Sequence, residues 1–276
     1  MDILELFTYS FFKNALLAAV LMSVTCGIIG TYIVSRRMVF ISGGITHASF
    51  GGVGIGYFLG FPPLAGAAVF AVLAALATEN LTRRRVLRND SIIAIVWSLG
   101  MALGIIFVYL TPGYAPNLMS YLFGSIITVS PTDLWLMFSL AVLVSGFFVV
   151  LFRPILYVAF DEQFAKTRGI PVMLLNYILI ILVALTIVLS IRIAGIILVL
   201  SILTIPQNIA NLFTNRFGKI LLGSVVLGFM GSFLGLVLSY YMDIPSGATI
   251  IFTLVVMYLA ARVVKVVTFG RKKKRI

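Results

Sequence analysis

Charged side chains are scarce in this chain of 276 residues: Asp, Glu, Lys and Arg together make up only 10% of it. Soluble domains carry about 25% of these residues. A soluble fold could not cover a chain that is 62% hydrophobic with so few charges. The composition therefore excludes an ordinary water-soluble domain and indicates a protein that is embedded in lipid.

Cysteine and histidine are almost absent, since Cys26 and His47 are the single examples of each. One cysteine excludes an internal disulfide, and the two residues together cannot supply the four ligands of a structural zinc site. We interpret Cys26 as a small buried hydrophobic residue. The G-x-x-x-x-G-K-[ST] motif of P-loop nucleotide-binding proteins is also missing, so any ATPase is expected on a separate chain.

The uncharged stretches have the lengths of membrane spans. About 20 apolar residues cross the hydrocarbon core of a bilayer, and stretches such as 14–35 and 220–242 contain no Asp, Glu, Lys or Arg. The stretches 38–78 and 91–132 are each about twice that length. We therefore predict an all-α, polytopic transmembrane bundle of eight to nine spanning helices. A nine-helix assignment places them at 12–35, 40–59, 63–79, 91–110, 133–152, 172–191, 194–213, 218–241 and 246–267.

Basic residues cluster at alternate ends of these stretches. With nine passes and a cytoplasmic C-terminus, all 20 Lys and Arg residues except Lys13 and Arg192 lie on the cytoplasmic side, as the positive-inside rule requires. The net charge of +12 thus reflects orientation and not a nucleic-acid partner. We assign 1–268 to one transmembrane domain with an external N-terminus, and 269–276 to a basic cytoplasmic tail that is disordered or lies on anionic lipid.

Glycine is dense in the second predicted helix, with six glycines between residues 43 and 56. Small residues let helix backbones approach closely in a membrane, and this density predicts a helix that is either broken or packed unusually closely. After the fourth helix, 111–116 reads as a turn-rich external connection. The apolar stretch 117–127 is too short to cross, which favours a re-entrant or interfacial helix.

The longest cytoplasmic loop, 153–171, has the features of a short capped helix. Asp161 stands at its N-terminal end, where a carboxylate is favourable, and Gly169 is placed to end it. Such a helix can dock into a groove of a soluble partner, or it can be an ordinary interfacial connector. The spacing D-x-x-x-A-x-x-x-G, formed by Asp161, Ala165 and Gly169, resembles the coupling-helix signature of ABC importer permeases.

Three further stretches resemble the zinc/manganese/iron permease family of ABC importers. Residues 43–52, G-G-I-T-H-A-S-F-G-G, are similar to the family's G-D-A-L-S-H-A-x-x-P-G segment. Residues 192–210 are similar to a family helix that ends in P-A-A-x-A, and 240–250, Y-Y-M-D-I-P-S-G-A-T-I, match Y-x-x-D-x-P-S-G-A-x-I almost fully. Two departures are clear: Gly43 replaces the family's Asp, and Gln207-Asn208 replaces the small pair after Pro206.

The resemblance implies a fold like that of the cobalamin and siderophore importers and a transport role in a bacterial inner membrane. It implies a homodimer of permease chains, separate ATP-binding subunits and an extracytoplasmic metal-binding protein. The transported substrate would be a divalent metal ion, zinc first and manganese or iron next, with no bound cofactor.

His47 is the first candidate for the metal pathway, because an ionisable group inside a membrane is costly and usually functional. A lone His can also be a buried structural residue. Either water or the hydroxyl oxygens of Thr46 and Ser49 are expected to complete its ligand shell.

Gln207, Asn208 and Asp243 are further candidates for this pathway. For the two amides, pathway lining and simple interfacial polarity remain equal alternatives. Asp243 either contacts the ion or helps to cap the last helix, a role that Ser246 could also take.

Two other functions are compatible with a polytopic bundle. An ion-coupled secondary carrier needs no ATPase, but such carriers usually have a carboxylate within the membrane, and no predicted helix has one at its middle. An intramembrane hydrolase would need a nucleophile or a second metal ligand beside His47, and the sequence indicates neither.

Overall fold

The computed structural model describes residues 8–84, 87–112, 124 and 126–273, without the side chains of 127 and 269–273. All regular structure in these residues is helical. A short 3-10 turn, Ile126–Thr128, precedes the fifth helix. The helices are α1 (Ser10–Ser35), α2 (Val39–Leu59), α3 (Pro63–Arg83), α4 (Asn89–Leu110), α5 (Pro131–Val150), α6 (Phe152–Phe160), α7 (Glu162–Thr167), α8 (Val172–Ala194), α9 (Ile196–Ile202), α10 (Ile205–Phe213), α11 (Phe217–Met242) and α12 (Ser246–Lys273).

The prediction of eight to nine spanning helices is confirmed. Within the described ranges, eight helical segments are long and apolar enough to cross a membrane, and α9 with α10 forms one of them, Ile196–Phe213. Helix α2 is less apolar because of its glycines and His47, yet its 21 residues extend about 31 Å at 1.5 Å per residue. Counting α2 gives the nine passes of the predicted assignment.

Helices α1 and α8 form the centre of the bundle. In their most apolar windows 72% and 61% of the residues are buried, compared with 11% for α12. Helix α1 packs against α5 and α11, and α8 packs against α3. The long apolar surface of α12 is therefore left for lipid or for another chain.

The glycine-rich helix α2 is continuous and closely packed, so of the two alternatives the closely packed helix is the one observed. A Cβ at Gly52 would collide with the backbone of Gly66 on α3, and one at Gly54 would collide with the backbone of Gly104 on α4. Backbone contact of this kind replaces side-chain packing along both seams.

The seventh predicted pass is interrupted in its middle. Helix α9 ends at Ile202 and α10 begins at Ile205, with Pro206 in the first turn of α10. Proline suits a first helical turn but cannot continue a helix from the preceding residues, which accounts for the break. Gly195 alone, at φ 79°, separates α8 from α9.

The predicted cytoplasmic loop is more helical than expected, because its first part forms α6. Ile155, Val158 and Ala159 are buried at helical spacing. The sequence analysis predicted only the short helix that begins at Asp161 and missed that spacing. At the other end of the chain, α12 continues to Lys273, past the predicted start of the tail at residue 269. The predicted re-entrant stretch 117–127 lies mostly outside the described residues.

Candidate functional site

A cavity of about 770 Å³ opens between the N-terminal half of α2, α4 and the interrupted pass of α9 and α10. Its wall combines polar groups with aromatic and aliphatic side chains. The residues that line it are Val34, Arg37, Val39, Phe40, Gly43, His47, Trp97, Leu200, Ser201, Thr204 and Asn208. Of the predicted pathway residues, His47 and Asn208 therefore meet at one cavity although they are distant in sequence.

His47 lies on α2 with its ring half-buried and stacked on Trp97 of α4. The ring centroids are 4.3 Å apart and the planes differ by 6°. A face-to-face stack of this kind leaves the ring edge, which carries both nitrogens, free of the indole. The imidazole nitrogens are thus the ligating atoms that this cavity offers to a cation.

Thr46 and Ser49 do not line the cavity. Both are fully buried, and their hydroxyls donate to α2 carbonyls, Thr46 Oγ1 to Ser42 O at 2.7 Å and Ser49 Oγ to Thr46 O at 2.7 Å. Neighbours of His47 in sequence point elsewhere because successive helical residues are about 100° apart. The hydroxyls at the cavity are those of Ser201 and Thr204, which the sequence-based prediction missed.

Gln207 and Asn208 occupy different environments. Gln207 is fully buried, and its Nε2 donates to Cys26 O at 2.8 Å and Ile202 O at 3.1 Å, so it ties the interrupted pass to α1. Asn208 is exposed at the cavity, and its Nδ2 donates to Thr204 O at 2.7 Å. The amide oxygen of Asn208 is the group that remains available to a cation.

The cavity has a positive electrostatic character. Arg37 stands at its edge in a left-handed conformation, with φ 57°, and none of the side chains that line it is a carboxylate. Among the described residues, no group of three or more His, Cys, Asp or Glu comes together. The cavity therefore offers a cation a single imidazole with amide and hydroxyl oxygens. Gly43, at the position of the family's Asp, has nothing within 4 Å of a Cβ built on it.

Asp243 lies far from this cavity, at the end of α11. It is exposed and left-handed, with φ 54°, and it ends the helix as its C-terminal cap. The turn that follows is held by Ser239 Oγ, which donates to Ile244 O at 2.6 Å. Asp243 therefore has a structural role in the turn between α11 and α12.

Helix α7 has the caps that the sequence predicts. Asp161 Oδ1 accepts from the backbone N–H groups of Gln163 and Phe164 at 2.9 and 3.0 Å. Gly169 is left-handed, with φ 71°, and its N–H and that of Ile170 reach back to Lys166 O and Ala165 O at 3.0 and 3.2 Å, which is a Schellman motif.

Ala165, the middle residue of the coupling signature, is fully buried against the rest of the bundle. A larger side chain there would displace α7 from its own protein before it met any partner. The exposed surface of α7 is instead formed by residues such as Phe164.

An ion pair fixes α7 to the end of α1. Arg36 donates to Glu162 Oε1 at 2.7 Å and to Val158 O at 2.8 Å, and Asn176 of α8 donates to the same carboxylate at 3.0 Å. Partial burial acts to raise the pKa of Glu162, but the hydrogen bonds from Arg36 and Asn176 outweigh it and lower that pKa. The carboxyl is therefore ionised at neutral pH. The ion pair links α7 to Arg36, the residue before Arg37 of the cavity wall.

The ion pairs also show which helix ends share a side. Arg36 and Glu162 meet at one end of the bundle. A second pair joins Asp133 at the start of α5 to Arg192 at the end of α8, with 3.3 Å between Arg192 Nε and Asp133 Oδ1. Because Glu162 precedes α8 and Arg192 lies at its far end, the two pairs occupy opposite sides of the bundle.

Comparison with known proteins gives a family match over nearly the whole chain. Residues 8–265 match the model of the ABC 3 transport family. An uncharacterized membrane protein of Synechocystis sp. is 42% identical over 251 residues, which cover 91% of this chain and 89% of that protein. The manganese transport system membrane protein MntC of Halalkalibacterium halodurans is 34% identical over 247 residues, covering 90% and 85%.

A solved structure has the same fold. PsaBC from Streptococcus pneumoniae, in complex with Fab, superposes with a TM-score of 0.84 at 29% identity, covering 94% of this chain and 95% of that chain. The all-α transmembrane architecture predicted from the uncharged stretches is thus shared with a solved membrane protein.

Proposed function

The chain belongs to the ABC 3 transport family, and from this premise we propose that it is the permease subunit of an ATP-driven importer that moves divalent metal ions into the cytoplasm. The single observation that carries the proposal is the cavity at which the only histidine of the chain meets Asn208. Cavities between helices are where transporters bind their substrates, and an imidazole with amide and hydroxyl oxygens is a weak set of metal ligands. Weak ligation suits an ion that must be released on the other side.

We place manganese ahead of zinc, the metal favoured on sequence grounds. Zinc prefers sites of several nitrogen or sulfur ligands, whereas oxygen ligands suit manganese. Each protomer offers one imidazole, and the remaining polar groups of the cavity that can face a cation are oxygens of Ser201, Thr204 and Asn208. The relative from H. halodurans carries manganese in its name, which agrees with this order.

The energy source is a separate ATP-binding subunit that docks on α7. The capped helix is short, amphiphilic and exposed on one side, and its link through Arg36 leads directly to the edge of the cavity. A movement of α7 would therefore reach the α1–α2 junction without crossing the bundle. The clusters of Lys and Arg favour an orientation with α7 and the C-terminus in the cytoplasm and the N-terminus outside.

Two permease chains form the complete pathway. The apolar surface of α12 offers a second copy a contact area within the membrane, and a pair of protomers would bring two His47 imidazoles to one pathway. An extracytoplasmic metal-binding protein would deliver the ion on the side of Asp133 and Arg192.

The test is metal uptake in a strain that lacks this permease. Restoring the chain should restore uptake of Mn²⁺ more than that of Zn²⁺ or Fe²⁺, and only when the ATP-binding subunit can hydrolyse ATP. Uptake that persists without that subunit and follows the membrane potential would instead establish a secondary carrier. Preferential uptake of Zn²⁺ would preserve the permease and overturn the choice of metal.

A further inference from the structure

The stack of His47 on Trp97 has no role in the function proposed so far. The two rings come from different helices and lie almost parallel. Their centroids are 4.3 Å apart and the angle between their planes is 6°. Both line the cavity. Trp97 is one of only two tryptophans in the chain. The other, Trp135, is 71% exposed on α5.

Close packing of α2 against α4 holds the two rings in this arrangement. One turn before His47, a Cβ at Gly44 would collide with Ile93 of α4, and next to His47 the backbone of Ala48 is in contact with Gly100. On α4, Ile93 lies four residues before Trp97 and Gly100 lies three residues after it, so the two contacts flank Trp97. These two close contacts, the second of them between the backbones of Ala48 and Gly100, hold α2 and α4 in the register that stacks the two rings.

A stacked imidazole can still bind a cation, because its nitrogens lie in the ring plane and not on the face. When a metal binds at one of them, it withdraws electron density from the imidazole. The electron-rich face of an indole attracts an electron-poor or cationic ring more strongly than a neutral one. The stack should therefore be stronger when His47 carries the metal than when it does not.

We infer that Trp97 is a positioning residue for metal transport, one that fixes the imidazole plane of His47 and favours its metal-bound form. This inference rests on the proposed function, since it assumes that His47 contacts the ion. Trp97 strengthens the contact between His47 and the ion in a chain that has Gly43 where the family's motif has a carboxylate. The cation is held by one imidazole and its aromatic support in each protomer.

The first experiment uses the intrinsic fluorescence of Trp97. In a Trp135→Phe chain reconstituted into liposomes, Trp97 is the sole tryptophan, and Mn²⁺ bound at His47 should quench its emission saturably while Mg²⁺ should not. The quenching should be lost in Trp135→Phe/His47→Gln. A Trp97→Phe chain, which retains only Trp135, is the control and should show no saturable quenching. Quenching that is the same with and without the imidazole would overturn the inference.

The second experiment measures uptake. Trp97→Leu should raise the KM for Mn²⁺ by about fivefold, the order expected of one cation–π contact, and Trp97→Phe, which keeps a smaller aromatic face, should raise it less. Trp135→Leu is the matched control and should leave KM unchanged. If Trp97→Leu transports with the wild-type KM while His47→Ala is impaired, the inference fails and the proposed function stands. If neither substitution alters uptake and Mn²⁺ does not quench Trp97, both fail.

Discussion

At the scale of single residues, the site depends on what surrounds one imidazole. His47 has an aromatic partner on its face, amide and hydroxyl oxygens across the cavity, and Arg37 at the edge. A guanidinium beside the pathway of a cation opposes tight binding. This balance predicts a site that passes its ion on and does not store it.

Gly43→Asp tests that balance by restoring the carboxylate that the family has at this position. Residue 43 lies one helical turn from His47 on the same face, and a Cβ there meets nothing within 4 Å, so the substitution should fold. We expect tighter Mn²⁺ binding and a slower turnover, because the added negative charge stabilises the bound ion. Binding and single-turnover release of ⁵⁴Mn²⁺ in proteoliposomes would measure both.

Gly43→Asn, which has the same size and no charge, is the matched control and should leave release near the wild-type rate. Equal release rates for the Asp and Asn variants would show that residue 43 does not face the ion.

Some residues of the cavity could be identified from the sequence and others could not, and the difference has a physical reason. His47 could be identified because it is the sole imidazole, and it lies in a double-length stretch without Asp, Glu, Lys or Arg. Trp97 could not, because its contact with His47 depends on the register between α2 and α4. Gln207 and Asn208 are adjacent and chemically alike, and only the rotation of α10 decides that one is buried while the other reaches the cavity.

At the scale of helices, length and position follow from hydrophobic stretches, whereas breaks follow from packing. The predicted ends of most passes agree with the structure to within a few residues. Glycine density suggested either a break in α2 or unusually close packing, and the glycines are where the backbones of α3 and α4 approach. The interruption between α9 and α10 instead occurs at a proline. The caps of α7 were predictable because they depend on residues close in sequence.

Gly169→Val tests the C-terminal cap of α7. Gly169 has open space for a side chain, but its φ of 71° costs a residue with a Cβ about 1–2 kcal/mol. We expect α7 to lose its fixed end, so that co-purification of the ATP-binding subunit and metal uptake fall together, while the amount of permease in the membrane is unchanged.

Asn tolerates the left-handed region better than valine, so Gly169→Asn should retain most of the association. If the Val variant binds the ATP-binding subunit as well as wild type does, α7 is an ordinary connector and not the docking element.

At the scale of the whole molecule, the proposal requires one particular orientation in the membrane. Arg36 and Glu162 lie at one end of the bundle, and Asp133 with Arg192 lies at the other. The positive-inside rule assigns the first end to the cytoplasm. The orientation is a prediction from the charge distribution, and the two ion pairs show which helix ends share a side.

Single cysteines in a Cys26→Ala background test the orientation. Lys166→Cys on α7 and Met242→Cys at the end of α11 replace exposed residues at opposite ends. An impermeant thiol reagent should label residue 242 in intact cells and residue 166 only after the membrane is opened. Labelling of residue 166 from outside intact cells would show that the predicted orientation is wrong.

The most direct test of the account is the rate of metal uptake by His47→Ala, normalised to the amount of permease that is inserted in the membrane and bound to its ATP-binding subunit. If His47 contacts the ion, this rate should fall well below the wild-type value, and His47→Gln should also be impaired because it lacks the imidazole. A purely structural histidine would give a different result: Gln would preserve most of the activity, and Ala would lower the amount of assembled protein. A wild-type normalised rate for His47→Ala would contradict the account.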